Sequence, residues 1–277
     1  MSSELMNREN NEMERSFRLP ELTEGSEFSN EDLAEDMDGL RFIFQRVKIP
    51  SGGAMQFEIP GDDPENPEYE RTIEGVILHH HAAHAYWPEG SEDEEDAVPL
   101  CSSVDGKLGA GEPGGDCVTC ALNKFGTGRN GRGKACKNMR VLYLLRDGEY
   151  MPIQITLPPT SIKPFNDFYS AAFLARRRAA FGSVVSIGLK RENNGKDDYS
   201  VATFKKLYDF TGEQLAQVRI YADTFKSQIR LVNQQRAAEA MNRTDDEYSE
   251  YGGGDEERFN ISTPGAYIDG DRERLPA

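Results

Sequence analysis

Residues 139–158 read MRVLYLLRDGEYMPIQITLP, and this stretch decides the fold class. Two runs rich in aliphatic and β-branched residues flank Asp147-Gly148-Glu149. Asp-Gly tolerates the positive φ that a tight hairpin turn demands, so MRVLYLLR and YMPIQITLP are predicted to pair as antiparallel strands. VVSIGLKRE (184–192) and YSVATFKKLY (199–208) repeat the pattern around Asn193-Asn194-Gly195. Upstream, LRFIFQRVKI (40–49) stops at Pro50, with Phe42 and Phe44 on one face and Ile43 on the other. TIEGVILHH (72–80) reads as a further strand continuing into HAAHAYWPEG, and GDDPENPEYE (61–70) as a loop.

Between the hairpins, Ser161 is expected to cap a helix that begins at Ile162 or Pro164 and runs through FNDFYSAAFLARR. A last helix is predicted from Gly212 to Met241. Short hairpin-linked strands with two helices give a mainly β, α+β protein. The expected architecture is an OB-like antiparallel barrel with a zinc-binding loop inserted between two strands.

The charge is segregated. The whole chain has a formal net charge of −16, but residues 1–100 carry −18, residues 101–240 carry +8 and residues 241–277 carry −6. An acidic disordered arm is therefore expected over 1–38, a folded nucleic-acid-binding domain over 39–240, and an acidic flexible tail over 241–277. The amino-terminal stretch MSSELMNRENNEMERSF lacks the apolar core of a signal peptide, and no apolar run is long enough for a membrane helix. A cytoplasmic, reducing location and no membrane partner are the expectation.

All four cysteines, Cys101, Cys117, Cys120 and Cys136, fall within residues 101–136, spaced C-x15-C-x2-C-x15-C. In a reducing compartment such thiols stay free for a metal. Four thiolates complete a tetrahedron and leave no position for water or substrate, so the expected ion is a structural Zn2+. An iron–sulfur cluster uses the same thiolates, a redox Cys-x2-Cys is a further reading, and four unrelated thiols are the plain alternative. His79, His80, His81 and His84 stand nearby. Strand alternation sends His79 and His81 to one face and His80 to the other; one of them could replace a cysteine, His84 being nearest to the cluster, and solvent-facing or edge-strand histidines are the bland reading.

From Cys117 to Arg146 there is no acidic residue. The window offers Lys124, Arg129, Arg132, Lys134, Lys137 and Arg140 for phosphates, with Phe125 and Tyr143 as rings on which bases could stack. Trp87, the one tryptophan, is a further stacking candidate. A solvated basic loop is the bland reading, and half-buried packing is the bland reading for Trp87. Arg176, Arg177 and Arg178 form a second cluster that equally suits the negative end of a helix.

In this combination the sequence resembles the single-stranded DNA-binding proteins of bacteriophage replication systems. Those set an OB-type barrel beside a zinc loop and end in an acidic tail. The likeness is architectural, covers about residues 40–240 and the tail, and is suited by Cys117-x2-Cys120. Two departures stand out: four cysteines where one histidine and three cysteines are best known in such proteins, and the acidic amino-terminal arm. CKNMRVLYLL and LPPTSIKPF also look like phage proteins of unassigned function.

The resemblance implies a non-enzymatic, zinc-stabilised protein of phage or plasmid DNA replication and recombination. Its partners would be single-stranded DNA and replication proteins met through the carboxy-terminal tail. No P-loop, H-E-x-x-H or G-x-S-x-G motif occurs. The alternative is a zinc-loop adaptor that binds a polymerase or host factor through its acidic arms. A nuclease with scattered carboxylates is a third reading.

Overall fold

In the computed structural model, residues 17–19, 44–63, 66–88 and 99–242 are described, without the side chains of Asn130 and of 231–242. In chain order the strands are β1 (Arg46–Lys48), β2 (Phe57–Ile59), β3 (Glu68–Glu70), β4 (Thr72–Tyr86), β5 (Cys101–Ser103), β6 (Leu108–Gly111) and β7 (Gly115–Asp116). Then follow β8 (Lys137–Leu145), β9 (Ile153–Leu157), helix α1 (Pro159–Ala172), β10 (Ser183–Asn193), β11 (Asp198–Asp209) and helix α2 (Gly212–Asn242). No helix among the described residues is long and apolar enough to cross a membrane.

Both predicted hairpins form. β8 pairs antiparallel with β9, and Gly148 takes φ 75° in the turn between them. β10 pairs with β11 from Asn193↔Asp198 outwards, with Gly195 at φ 90°. The organising strand is β4, fifteen residues long. One edge lies along β8, from Val76↔Leu145 to Ala85↔Lys137. The other edge is shared: residues 72–76 hold β10, and residues 84–86 hold β5. A β carbon on Gly75 would lie 2.3 Å from the Leu145 carbonyl oxygen, so only glycine allows β4 and β8 to approach this closely. A bulge at Leu78 interrupts the ladder between Ile77 and His79.

The hydrogen-bonded path runs β1-β9-β8-β4-β5-β6-β7, with β10 and β11 branching from β4 and a separate β2–β3 ribbon. The mixed α+β content is as expected, whereas the described strands do not close into the expected barrel. The reason lies in β8: Val141, Leu142, Tyr143, Leu144 and Leu145 are all buried, so both faces of this strand need an apolar cover. Leu142 and Leu144 point to a core shared with Phe165 and Phe173 around α1. Val141, Tyr143 and Leu145 point to a second core with Val218, Tyr221, Phe225 and Ile229 of α2. Truncating Leu142 or Leu144 to alanine would cost about 2–5 kcal/mol.

Several boundaries differ from expectation. The first strand shrinks to β1, which runs parallel to β9; Phe42 and Ile43 lie outside the described residues, and Phe44 is buried. Residues 68–70, read as loop, form β3. α1 starts at Pro159, before Ser161. Ser161 is fully buried inside the helix, and its Oγ accepts the Ala202 N–H at 3.0 Å, so it ties α1 to β11 rather than capping. The helix ends at Ala172, and a 3-10 turn follows that leaves Arg177 left-handed at φ 51°. Arg178 pairs with Asp209 at 3.2 Å, which gives part of that arginine cluster a structural use.

The expected acidic arm and tail lie outside the described residues, except at 17–19 and 241–242. Residues 17–19 of that arm are packed. Phe17 is 6% exposed and meets the Phe210 ring edge-on at 5.8 Å, and Leu19 packs against the same core.

Candidate metal centre and nucleic-acid interface

The four cysteines sit at the ends of short elements that fold towards one point. β5 begins at Cys101, placed opposite Tyr86 at the far end of β4. β5 turns back into β6, and β6 into β7, through Leu108↔Asp116. Cys117 follows β7 at once, its N–H donating to the Lys107 carbonyl at 2.8 Å. Cys120 precedes the 3-10 turn Ala121–Asn123, and the Asn123 Nδ2 amide donates back to the Cys117 carbonyl at 2.7 Å. Cys136 donates to the Leu122 carbonyl at 3.0 Å and leads directly into β8.

The result is a single recess lined by Cys101, Cys117, Cys120, Cys136 and His84. Gly109 makes room for it, since a β carbon there would lie 3.0 Å from Cys101 Sγ. All four thiols are free of disulfides. Burial, then the neighbouring thiols, push Cys136 up to about 11. Burial likewise raises Cys101 and Cys117. Among the described residues no three His, Cys, Asp or Glu side chains form a ready ligand set for a metal ion.

The expected histidine alternation is seen. His79 and His81 face α2, where both rings lie near Tyr143, and His80 faces α1 between Phe165 and Tyr169. Burial, then the neighbouring His81 and His80 rings and the cations Lys226 and Arg230, lowers His79 to about 3; burial, then Arg140, lowers His80 to about 4. His84 lines the thiol recess with its Nδ1 buried and unpartnered.

The basic loop over 121–136 has a defined shape. Thr127 Oγ1 donates towards the Leu122 and Lys124 carbonyls at 3.0 and 2.7 Å and accepts the Ala135 N–H at 3.1 Å. Gly126 N–H reaches the Gly133 carbonyl at 2.7 Å. On the outside stand Lys124, Arg129 and Arg132, all exposed, and Phe125, 83% exposed. Lys134 is half-buried and donates to Asn123 Oδ1 at 2.9 Å; Lys137 and Trp87 are also half-buried.

Two of the sequence-predicted contacts fall elsewhere. Tyr143 is 1% exposed and boxed in by Phe44 and Phe225 at 5.2 and 5.3 Å, so its ring cannot stack on a base. Arg140 turns away from the loop to the α1 face, where it bonds His80. Sequence reasoning missed Thr127 and Asn123, which shape the loop through ordinary polar side chains. Their one sequence signal is local: Ser, Thr and Asn in a glycine-rich stretch commonly bond nearby backbone.

Comparison with known proteins finds no matching family model, no protein of significant sequence similarity and no solved structure of significant similarity.

Proposed function

We propose that this chain binds single-stranded DNA through the loop of residues 121–136. The observation that carries the reading is Phe125: its ring is 83% exposed on a loop that also presents the exposed cations Lys124, Arg129 and Arg132. A flat ring among cations is what a strand needs, phosphates on the charges and a base on the ring. Leaving a phenylalanine this exposed has a hydrophobic cost that a stacked base would recover.

A structural zinc ion on Cys101, Cys117, Cys120 and Cys136 completes the proposal. The donor chemistry fits: four thiols surround one recess, burial and then neighbouring thiols raise Cys101, Cys117 and Cys136, and a bound cation reverses that effect. The ion would supply a crosslink for a segment whose short strands and 3-10 turns bury little apolar surface. Its role is architectural, and the chain is proposed to be non-enzymatic, serving phage or plasmid DNA replication or recombination.

The test is anisotropy of labelled oligothymidine against duplex across a salt series, with metal content measured on the same sample. Affinity that falls steeply with salt and favours the single strand supports the reading. No binding at low salt removes it. The second reading, a protein-interaction adaptor, is favoured by Val118, an aliphatic side chain 80% exposed on the same segment. It would be supported by an intact metal site with no affinity for DNA.

A further inference from the structure

The α1 face of β4 and β8 carries a charge that no acid in the described structure answers. Arg140 is half-buried; its Nη1 donates to His80 Nδ1 at 2.8 Å, and its Cζ lies 5.8 Å from the centre of the Phe165 ring. His80 is in turn wedged edge-on between Phe165 and Tyr169, with ring centres 5.2 and 4.9 Å away. Because arginine can only donate, His80 accepts through an unprotonated Nδ1 and fixes the guanidinium without neutralising it. No carboxylate pairs with Arg140 among the described residues.

Register brings three orphaned atoms to the same place. His80 stands opposite Leu142, Ala82 opposite Arg140, and His84 opposite Asn138, so His80, His84, Asn138 and Arg140 share one face of two adjacent strands. Arg140 Nε, Asn138 Oδ1 and His84 Nδ1 are all buried and lack hydrogen-bond partners. Unmade bonds of this kind are costly, and finding three of them on neighbouring residues marks a place built for something else to satisfy. The Asn138 amide offers N–H instead of oxygen by turning over. Lys134 adds a second positive charge beside His84. Asp105, whose charge acts on His84, is occupied within its own turn, where Oδ1 accepts from Ser103 Oγ, Lys107 N and Leu108 N.

We propose that Arg140, held by His80 and flanked by Asn138 and His84, binds a phosphate oxyanion beside α1. Phosphate suits the site because its oxygens accept several N–H groups at once and its charge answers both Arg140 and Lys134. A phosphodiester of single-stranded DNA and a free phosphate group present the same oxygens. The first source rests on the DNA-binding reading; the second does not.

The test uses the full chain with its native metal content. Inorganic phosphate is titrated by calorimetry and labelled oligothymidine by anisotropy, for wild type, Arg140→Met and Asn138→Asp. Both variants are expected to lose phosphate binding. Arg140→Met should weaken oligonucleotide binding by about tenfold and lower the salt slope by about 0.7, the share of one phosphate contact. Asn138→Asp should raise the thermal midpoint while abolishing phosphate binding, because it gives Arg140 an internal counter-ion; a merely structural Asn138 predicts neither.

Phosphate binding without oligonucleotide binding in the wild type supports the site and removes the DNA reading. Oligonucleotide binding that drops in both variants, with no affinity for inorganic phosphate, assigns the site to phosphodiester alone. Oligonucleotide affinity unchanged in both variants, with no phosphate binding, overturns the site and leaves the DNA reading standing. Neither ligand binding to wild type overturns both. Should Arg140→Met fail to fold, an Asn138→Asp protein that binds phosphate as tightly as wild type overturns the proposal on its own.

Discussion

Arg18 grips Asp147 with both backbone and side chain: its N–H lies 2.6 Å from Oδ1 and its guanidinium Nη2 3.0 Å from Oδ2. The Gly148 N–H returns a bond to the Arg18 carbonyl at 3.1 Å, so the β8–β9 turn and an amino-terminal segment clasp each other. The Arg18 side chain is 74% exposed, which limits the ion pair to about 1 kcal/mol or less. Phe17, buried beside Phe210, is the stronger anchor. Phe17→Ala is expected to cost about 3 kcal/mol and Asp147→Ala less than half of that, measured as denaturation midpoints. Equal losses would show that the charges hold the segment.

Phe125→Ala is expected to weaken single-stranded DNA binding by about 1–3 kcal/mol and to leave the thermal midpoint where it is, because the ring touches little of the protein. The salt slope should not change. Lys124→Gln, Arg129→Gln or Arg132→Gln should do the reverse, each lowering the slope by about 0.7 with a modest loss of affinity. A shared response in all four variants would mean that ring and charges do not act separately.

Removing the proposed ion should separate the two halves of the molecule. Cys120→Ser or a chelator should release the ion, counted with a colorimetric zinc reagent, and should expose amides of residues 101–136 to hydrogen exchange. The far-UV signal of the sheet and helices should persist, since the apolar cores around α1 and α2 contain no metal-site thiol. Global unfolding on chelation would contradict this division.

The histidines predict a pH dependence. His79 and His80 are held at about 3 and about 4, against 6.5 for a free imidazole. In the folded chain both are neutral, while the unfolded chain takes up their protons as pH falls below 6.5. Their contribution is therefore complete above that value and is lost progressively as pH drops towards 3 to 4. Between about pH 7.5 and about pH 5, before carboxylates titrate, stability should fall with an uptake of close to two protons from these rings, to which His84, also lowered by burial, adds. A flat profile in that window would show that the two rings gain protons in the folded state.

Ser161→Ala should cost about 1–3 kcal/mol, because it strands the buried Ala202 N–H; unchanged denaturation would mean that water replaces the hydroxyl.

Hairpins and the long helix were legible because their signals are local. Asp147-Gly148 and Asn194-Gly195 mark turns, and Val218, Tyr221, Ala222, Phe225 and Ile229 recur at helical spacing. The thiol cluster was legible as a cluster from spacing alone. β5, β6 and β7 were not, because strands of two to four residues built from Cys-Ser-Ser, Leu-Gly-Ala-Gly and Gly-Asp have no apolar period to read. Tyr143 was misjudged for a different reason. An apolar run such as Val141–Leu145 without polar alternation belongs to a strand covered on both sides, and a ring within it is packing. The Arg140 site could not be read at all, since it depends on which residue of β4 stands opposite which residue of β8.

That opposition hangs on the Leu78 bulge. Before it, odd-numbered residues such as Ile73 and Ile77 face α1; beyond it, even-numbered His80 takes that side. The strand thus changes reading frame in space once, midway between the apolar core and the thiol recess. Ironing the bulge out with Leu78 taken into the ladder would leave Ile73 and Val76 in place while turning the distal half over, putting His79 under α1 and taking His80 away from Arg140. Deleting Leu78, by contrast, would make Ile77↔Leu144 and His79↔Tyr143 consecutive pairs and keep the whole candidate surface on its present side, so the change of frame resides in one surplus residue.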